Sequence, residues 1–354
     1  MLTPLHGGPD AMGVPRHDLS SNGNPCGAWP AALQALQHAD ARHYPDPAYT
    51  ALRRQLGAWH GVATDRIVLA ASASEFIQRI SLAVALTAGP EAAVWQPAHA
   101  YGDYARAAQA AGLPMTDAPQ RASLLWACEP SSPLGQADAG LPQRVAALRS
   151  SQTLVLDQAY EPLRLDGAPS LDGAAQERVW RLLTPNKALG LTGVRAAYAI
   201  APRVVAPALW ARLHALAPSW PLGAHGVALL QAWATPGCGT WLQACRATLR
   251  GWKARQIEGL RALDWRVEPS IAHFFVASCA DWAGDGGLLK LETELAALRR
   301  HGIKLRDCAS FGLPGRVRMA VAAPATQDAL LATLRHGVPA VSALDCSPAR
   351  RVVQ

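Results

Sequence analysis

The stretch LLTPNKALGLTGVRAAY places a lysine, Lys187, directly after an apolar run, with two glycines and then Arg195 behind it. Apolar surroundings favour the unprotonated amine that Schiff-base chemistry requires. Upstream, TLVLDQAY closes on Asp157 and Tyr160. An acid at the end of such a run is either solvated or holds something positively charged. Further upstream, LAASASEF passes from an apolar run through small residues into a helical pattern. Amides near Ala73 and Ser74 would then point at whatever sits above a helix N-terminus, which is an anion site by geometry and dipole. Taken singly, each piece has a plain alternative: a surface lysine, a loop aspartate capping a turn, a serine serving only as an N-cap.

Together the pieces supply an amine, an acid for a ring nitrogen, an arginine and a helix N-terminus for a phosphate. One cofactor needs all four: pyridoxal 5′-phosphate, whose ring nitrogen must stay protonated for the ring to act as an electron sink.

The elements that must position these residues follow from the apolar pattern. Runs of strand length recur at RIVLA (66–70), AAVWQP (92–97), SLLWAC (123–128), TLVLDQA (153–159), VWRLLTP (179–185) and RAAYAIAP (195–202). Segments of helical period lie between most of them. AYTALRRQLGAWHG puts Tyr49, Leu52, Leu56 and Trp59 on one helix face, and SEFIQRISLAVALTAG and YGDYARAAQAAG each close at a glycine. Strands that alternate with helices and are too apolar for a wet face predict an α/β fold with a mainly parallel sheet covered on both sides. The pattern then changes: a long helix over residues 240–263, strands at HFFVAS and GRVRMAVAA, and a closing helix near 325–336 predict a smaller α+β domain. The expected division is an N-terminal segment, 1–40, crossing to the small domain, a large domain, 41–230, and a small domain, 231–354.

Composition narrows the function classes. Half of the 354 residues are hydrophobic and 17% are charged, as in a compact folded protein. The net charge of +7 comes from scattered arginines without a basic run, so it points to phosphate or carboxylate ligands rather than nucleic acid. Seven cysteines without a CxxC pair argue against a disulfide framework or zinc site, and a reducing cytoplasm is expected. No secretory signal is evident at the N-terminus. The uncharged stretch between Arg212 and Arg246 is broken by Pro218, Pro221, Gly223, Pro236 and Gly237, so no membrane span is expected. GxSxG and HExxH motifs are absent.

At TPNKALGLTGVR and DQAY the sequence resembles the fold type I PLP enzymes of the class I/II aminotransferase family, most closely histidinol-phosphate aminotransferases and threonine-phosphate decarboxylases. The resemblance spans essentially the whole chain. It implies Lys187 as the lysine that binds the cofactor covalently, Thr184 and Arg195 on its phosphate, Asp157 on the ring nitrogen and Tyr160 on the phenolic oxygen. RHYPDPAYTALRRQLGAWHGV implies that Tyr44 reaches the phosphate of the neighbouring subunit in a homodimer. AYGDYARAAQAAG implies Tyr101 stacked on the ring, and GRVRMAVAA implies Arg318 as the clamp on the substrate's acidic group, with Arg316 as the alternative. Asn24 is implied at the substrate.

Two positions depart from the family pattern. EPSSPLG replaces a segment like NPNNPTG, so Ser132 stands where an asparagine is expected near the phenolic oxygen, and SIAHFF puts His273 where an asparagine is common. The function implied is an aminotransferase acting on a small amino acid or amino-acid phosphate. The alternatives are a decarboxylase of the branch linked to cobalamin synthesis, suggested by HGG at 6–8 and SFGLPGRVR at 310–318, and a PLP-fold protein without catalysis.

Overall fold

The computed structural model describes residues 6–284 and 286–336. Residues 1–5 of the N-terminal segment and Cys346 lie outside the described residues.

The first strand, β1 (His17–Asp18), is followed by β2 (Ile67–Ala70), β3 (Val94–Trp95), β4 (Leu124–Cys128), β5 (Thr153–Asp157), β6 (Trp180–Leu183) and β7 (Ala197–Ile200). Each of β2 to β7 falls inside one of the six expected runs. They form one sheet in the order β2-β7-β6-β5-β4-β3. β3 to β6 are parallel, and β7 runs antiparallel to both neighbours. Every residue of β2, β4 and β7 is buried, which is why these strands read as continuous apolar runs rather than alternating ones. β3 pairs as a strand only with β4, and it is the shortest of the six.

Helices cover both faces. On one, Phe76 and Ile77 of the helix Ala73–Ala85, Tyr104 of Gly102–Ala110 and Leu209 of Pro207–Ala215 pack on Val68, Trp126, Val155 and Leu182. On the other, Leu52 and Leu56 of Thr50–His60 and Leu229 of Ala224–Trp233 pack on Leu69, Leu183 and Tyr198, while Leu141 and Val145 cover Leu125, Leu154 and Leu156. Each fully buried leucine or phenylalanine here contributes about 1.5–3 kcal/mol. Trp59 differs from the expected buried face: it is 38% exposed, its ring lying in the last helical turn beside Gly239.

The C-terminal part contains β8 (Arg266–Val267), β9 (Phe274–Ser278), β10 (Ile303–Lys304), β11 (Arg306–Asp307) and β12 (Val317–Ala320). β11-β12-β9-β8 is an antiparallel sheet, flanked in sequence by the helices Pro236–Arg261, Gly287–Arg300 and Pro324–Arg335. The long helix starts four residues before its expected position because Pro236 occupies its first turn, where a missing N–H costs nothing.

The N-terminal segment ties the two sheets together. β1 pairs in parallel with β10, the Leu19 carbonyl accepts from Ala320, and farther along the Asn24 and Trp29 amides donate to the Lys187 and Leu189 carbonyls at 2.9 and 3.1 Å. The approach is close at Gly190, whose φ is +67° and whose missing Cβ would lie 2.2 Å from the Gly27 carbonyl oxygen. Gly190→Ala is therefore expected to lower the stability of the cofactor-free protein by about 2–4 kcal/mol, from left-handed backbone strain plus overpacking. Urea unfolding followed by circular dichroism would measure it.

Candidate active site

β5 and β6 are parallel neighbours, with Asp157 in register with Leu182. Their carboxyl ends therefore deliver Asp157 and, just past Leu183, Lys187 to the same edge of the sheet, where ligands sit in α/β folds. The Asp157 side chain is buried; Oδ1 accepts the Ala159 N–H at 2.9 Å and Oδ2 the Tyr104 O–H at 2.8 Å. Burial pushes its pKa up, against the Lys187 charge and these two donors, which favour the carboxylate. Lys187 Nζ lies 3.4 Å from Thr184 Oγ1 and 5.6 Å above the centre of the Tyr160 ring.

The loop carrying Lys187 is pinned from two sides. Asn186 sends Nδ2 to the Thr192 and Val194 carbonyls at 3.3 and 3.2 Å, folding the LTG turn back under the lysine. Asn24 donates its backbone N–H to Lys187 and its Nδ2 to the Ala188 carbonyl at 2.9 Å, while its Oδ1 accepts from Cys26 at 3.0 Å. Asn24, expected at the substrate, here bonds backbone through both atoms of its carboxamide and so positions the lysine loop.

At the helix Ala73–Ala85 the N-cap is Ser72, whose Oγ accepts the Glu75 N–H at 3.1 Å, and Glu75 in turn accepts from Ala71. Ser74 is thereby free of the capping role; its Oγ donates to Asp103 at 2.6 Å and lies 3.5 Å from the Tyr101 hydroxyl. The Ala73 and Ser74 amides sit in the first turn, where no intrahelical acceptor exists. The nearby Glu75 charge is balanced by Arg79 at 3.0 Å. Tyr101 is half-buried, and burial raises its pKa, keeping the phenol neutral.

A third group lies where β12 faces this edge. The Arg318 guanidinium is buried, 3.0 Å from the Ser20 carbonyl, 3.5 Å from Ser132 Oγ, and 5.6 Å over both Phe274 and Phe311. Phe274 meets Tyr160 edge-on at 4.7 Å, joining this group to the lysine. Among the described residues no carboxylate pairs with Arg318, whereas the alternative, Arg316, is 3.2 Å from Glu268. His273 is buried; its Nε2 donates to the Asn22 carbonyl at 2.9 Å, and burial pushes its pKa down to about 4, so the ring is neutral.

Arg195 and Tyr44 are not gathered into this cluster. Arg195 is exposed at the end of the glycine turn, and Tyr44 is exposed and stacked on Trp220 at 4.5 Å. Sequence reasoning missed Tyr104, although it stands one helical turn after Tyr101, and it missed Arg306, which lies directly opposite Arg318 in the β11–β12 register. Arg306 is buried with its guanidinium 4.9 Å over Phe311. Among the described residues no cluster of metal-binding side chains occurs, and no helix is long and apolar enough to cross a membrane.

Residues 14–334 match the family aminotransferase class I and II. The chain belongs to the class I and II aminotransferases. A histidinol-phosphate aminotransferase of Jannaschia sp. (strain CCS1) is 31% identical over 341 residues, covering 89% of each chain. The histidinol-phosphate aminotransferase of Sinorhizobium meliloti, solved with pyridoxal 5′-phosphate, superposes with a TM-score of 0.73 at 22% identity over 90% of this chain and 89% of that one. L-threonine-O-3-phosphate decarboxylase of Porphyromonas gingivalis gives 0.73 at 18% identity over 90% and 98%. These two structures share the fold type I architecture of this aminotransferase.

As a member of the family the chain is a PLP-dependent enzyme, and its residues fit the cofactor. Asp157 is a buried carboxylate that no cation reaches at salt-bridge distance among the described residues; a protonated ring nitrogen is the partner such a charge lacks. The first-turn amides of Ala73 and Ser74 suit a phosphate, and Lys187 supplies the amine. Asn24→Ala is expected to cost about 1–3 kcal/mol of stability, since it leaves the Ala188 carbonyl and Cys26 amide short of a partner. A urea titration of the cofactor-free protein would measure this, and a loss of substrate affinity without a loss of stability would place Asn24 at the substrate instead.

Proposed function

We propose that this aminotransferase moves the amino group of a small amine carrying a phosphate or carboxylate, such as histidinol phosphate, onto a 2-oxo acid. The observation that carries the reading is Arg318: a buried guanidinium without a carboxylate partner among the described residues, presented beside Ser132 and facing the lysine through Phe274 and Tyr160. A buried charge of that kind awaits an anion, and Arg306 in the facing strand adds positive potential. The relatives named histidinol-phosphate aminotransferase support a phosphorylated amine.

In this reading Ala73, Ser74 and Thr184 would hold the cofactor's phosphate, Arg195 standing outside their cluster in this structure, while Tyr101 would cover the ring and Tyr160 and Ser132 would serve its phenolic oxygen. When bound, pyridoxal 5′-phosphate supplies the electron sink that lets the Cα–H bond of the amine break. Asp157 holds the proton on the ring nitrogen. Lys187 would hold the cofactor through its amine and, once that amine is free, would be the group placed to take the Cα proton, with the Tyr160 ring beneath it limiting where Nζ can swing. Tyr44 points outward with Trp220, which supports a homodimer in which it serves the neighbouring subunit.

Lys187→Ala should abolish the absorbance of the lysine-linked cofactor and lower turnover by about 10²–10⁴-fold, the usual worth of a positioned proton-transfer group. A normal spectrum and rate in that variant reject the assignment. Arg318→Ala should raise KM for a phosphorylated amine by about 10–100-fold, the loss of charge-assisted hydrogen bonds, while an uncharged amine is little affected. Supplying O-phospho-threonine alone provides the contrary outcome: release of CO₂ would replace the aminotransferase reading with the lyase one.

A further inference from the structure

We propose that Tyr104 is a positioning residue for this reaction: its phenol, by its hydrogen bond to Oδ2, holds the Asp157 carboxylate in the orientation in which it meets the ring nitrogen of the cofactor. The inference deepens the reading of Asp157 given above and rests on it.

Tyr104 is fully buried, and its O–H donates to Asp157 Oδ2 at 2.8 Å. Oδ1 takes a backbone donor, the Ala159 N–H, which does not depend on the Tyr104 side chain. The phenol is thus the side-chain donor on which the orientation of Oδ2 depends. Its direction is fixed by packing rather than by the bond itself: the ring stacks on Trp126 at 4.4 Å with the planes 3° apart, and the Tyr101 ring stands against it edge-on at 5.8 Å. Such a donor is in place before any ligand arrives and needs no reorganisation. Burial, reinforced by Asp157, pushes the Tyr104 pKa well up, so it remains a phenol and a donor.

The titratable groups facing Asp157 come from three elements: Tyr104 from the helix Gly102–Ala110, Cys128 from β4, and Lys187 from the loop after β6. Burial and the Asp157 charge push the Cys128 thiol up, so it stays neutral, and its Sγ donates to the Pro130 carbonyl at 3.3 Å instead. Lys187 favours the carboxylate now, but it is the amine that the cofactor takes, so its charge is not a permanent support. Tyr104 remains when Lys187 is engaged. Loss of the phenol therefore raises the pKa of Asp157 further; the carboxylate, present above that pKa and lost as pH falls through it, is lost at a higher pH.

The test measures equilibrium binding of pyridoxal 5′-phosphate to the cofactor-free protein across pH, by quenching of tryptophan fluorescence, in wild type, Tyr104→Phe, Asp157→Asn and the double variant. Tyr104→Phe, which keeps the stacked ring, is expected to weaken binding about tenfold near neutral pH and to shift the acid limb of the profile upward. In the Asp157→Asn background the same change should have no further effect, the signature of action through Asp157. With the holoenzyme, kcat should fall more than KM rises. Unchanged affinity and pH profile in Tyr104→Phe, or losses that simply add in the double variant, overturn the inference while leaving Asp157 in place. Wild-type binding by Asp157→Asn would instead overturn the reading of Asp157 beneath it.

Discussion

A carboxylate taken out of water is the constraint around which this molecule is arranged. Asp157 is buried at the end of β5, and an isolated charge there would neutralise itself by taking up a proton. The fold answers with a backbone N–H, a phenol and a lysine ammonium, drawn from the strand's own continuation, from a helix on one sheet face, and from the loop beyond the next strand. Parallel pairing makes the third contribution inevitable. With β5 and β6 side by side in the same direction, whatever follows β6 arrives at the edge where Asp157 already stands.

The lysine must then stay near that edge without being locked, and the chain achieves this through its backbone. Asn24 grips the Lys187 and Ala188 carbonyls and Asn186 those of Thr192 and Val194, while the lysine side chain makes one long contact to a threonine hydroxyl and rests above an aromatic ring. The same N-terminal segment pairs with β10 and receives a hydrogen bond from Ala320 at the end of β12, so the loop of Lys187 and the strand of Arg318 share one strap. Ser20 and Asn24, four residues apart on that strap, touch Arg318 and the lysine loop respectively.

Much of this was legible in the residues. The six apolar runs became the six strands of the main sheet because strands buried on both faces carry an unbroken apolar signal, and Asp157 and Lys187 stood out as charged residues at or just beyond the ends of such runs. The antiparallel direction of β7 was not legible, since a buried strand reads the same either way. Nor was Arg306, whose importance arises only from a cross-strand register with Arg318. Tyr104 was visible as a helix-face aromatic, but nothing local distinguishes a tyrosine that packs from one that packs and donates. Asn24 shows the opposite limit: its type suggests a ligand contact, but the bonds of its carboxamide to the Ala188 carbonyl and the Cys26 amide depend on residues remote in sequence or on the local turn, which type alone does not disclose.

The two departures from the family pattern look different once their surroundings are considered. His273 is neutral and buried and bonds to the strap at Asn22, so it serves the same segment that pins the lysine loop. Ser132 lies beside Arg318 with a shorter reach than an asparagine and is 3.5 Å from it, which leaves the guanidinium directed at other partners. A protein that merely retained the fold would be more stable with apolar residues of similar volume at Asp157 and Arg318, because a buried charge without its counter-ion is costly while a packed hydrophobe is not. In the proposed reading ligands complete the two charges, a cation facing Asp157 and an anion facing Arg318, with a phenol, two asparagines and a pair of phenylalanines arranged around them. That pairing of opposite demands across one site is what an aminotransferase asks of its cofactor and its substrate, and it weighs against the non-catalytic alternative more than the presence of Lys187 does.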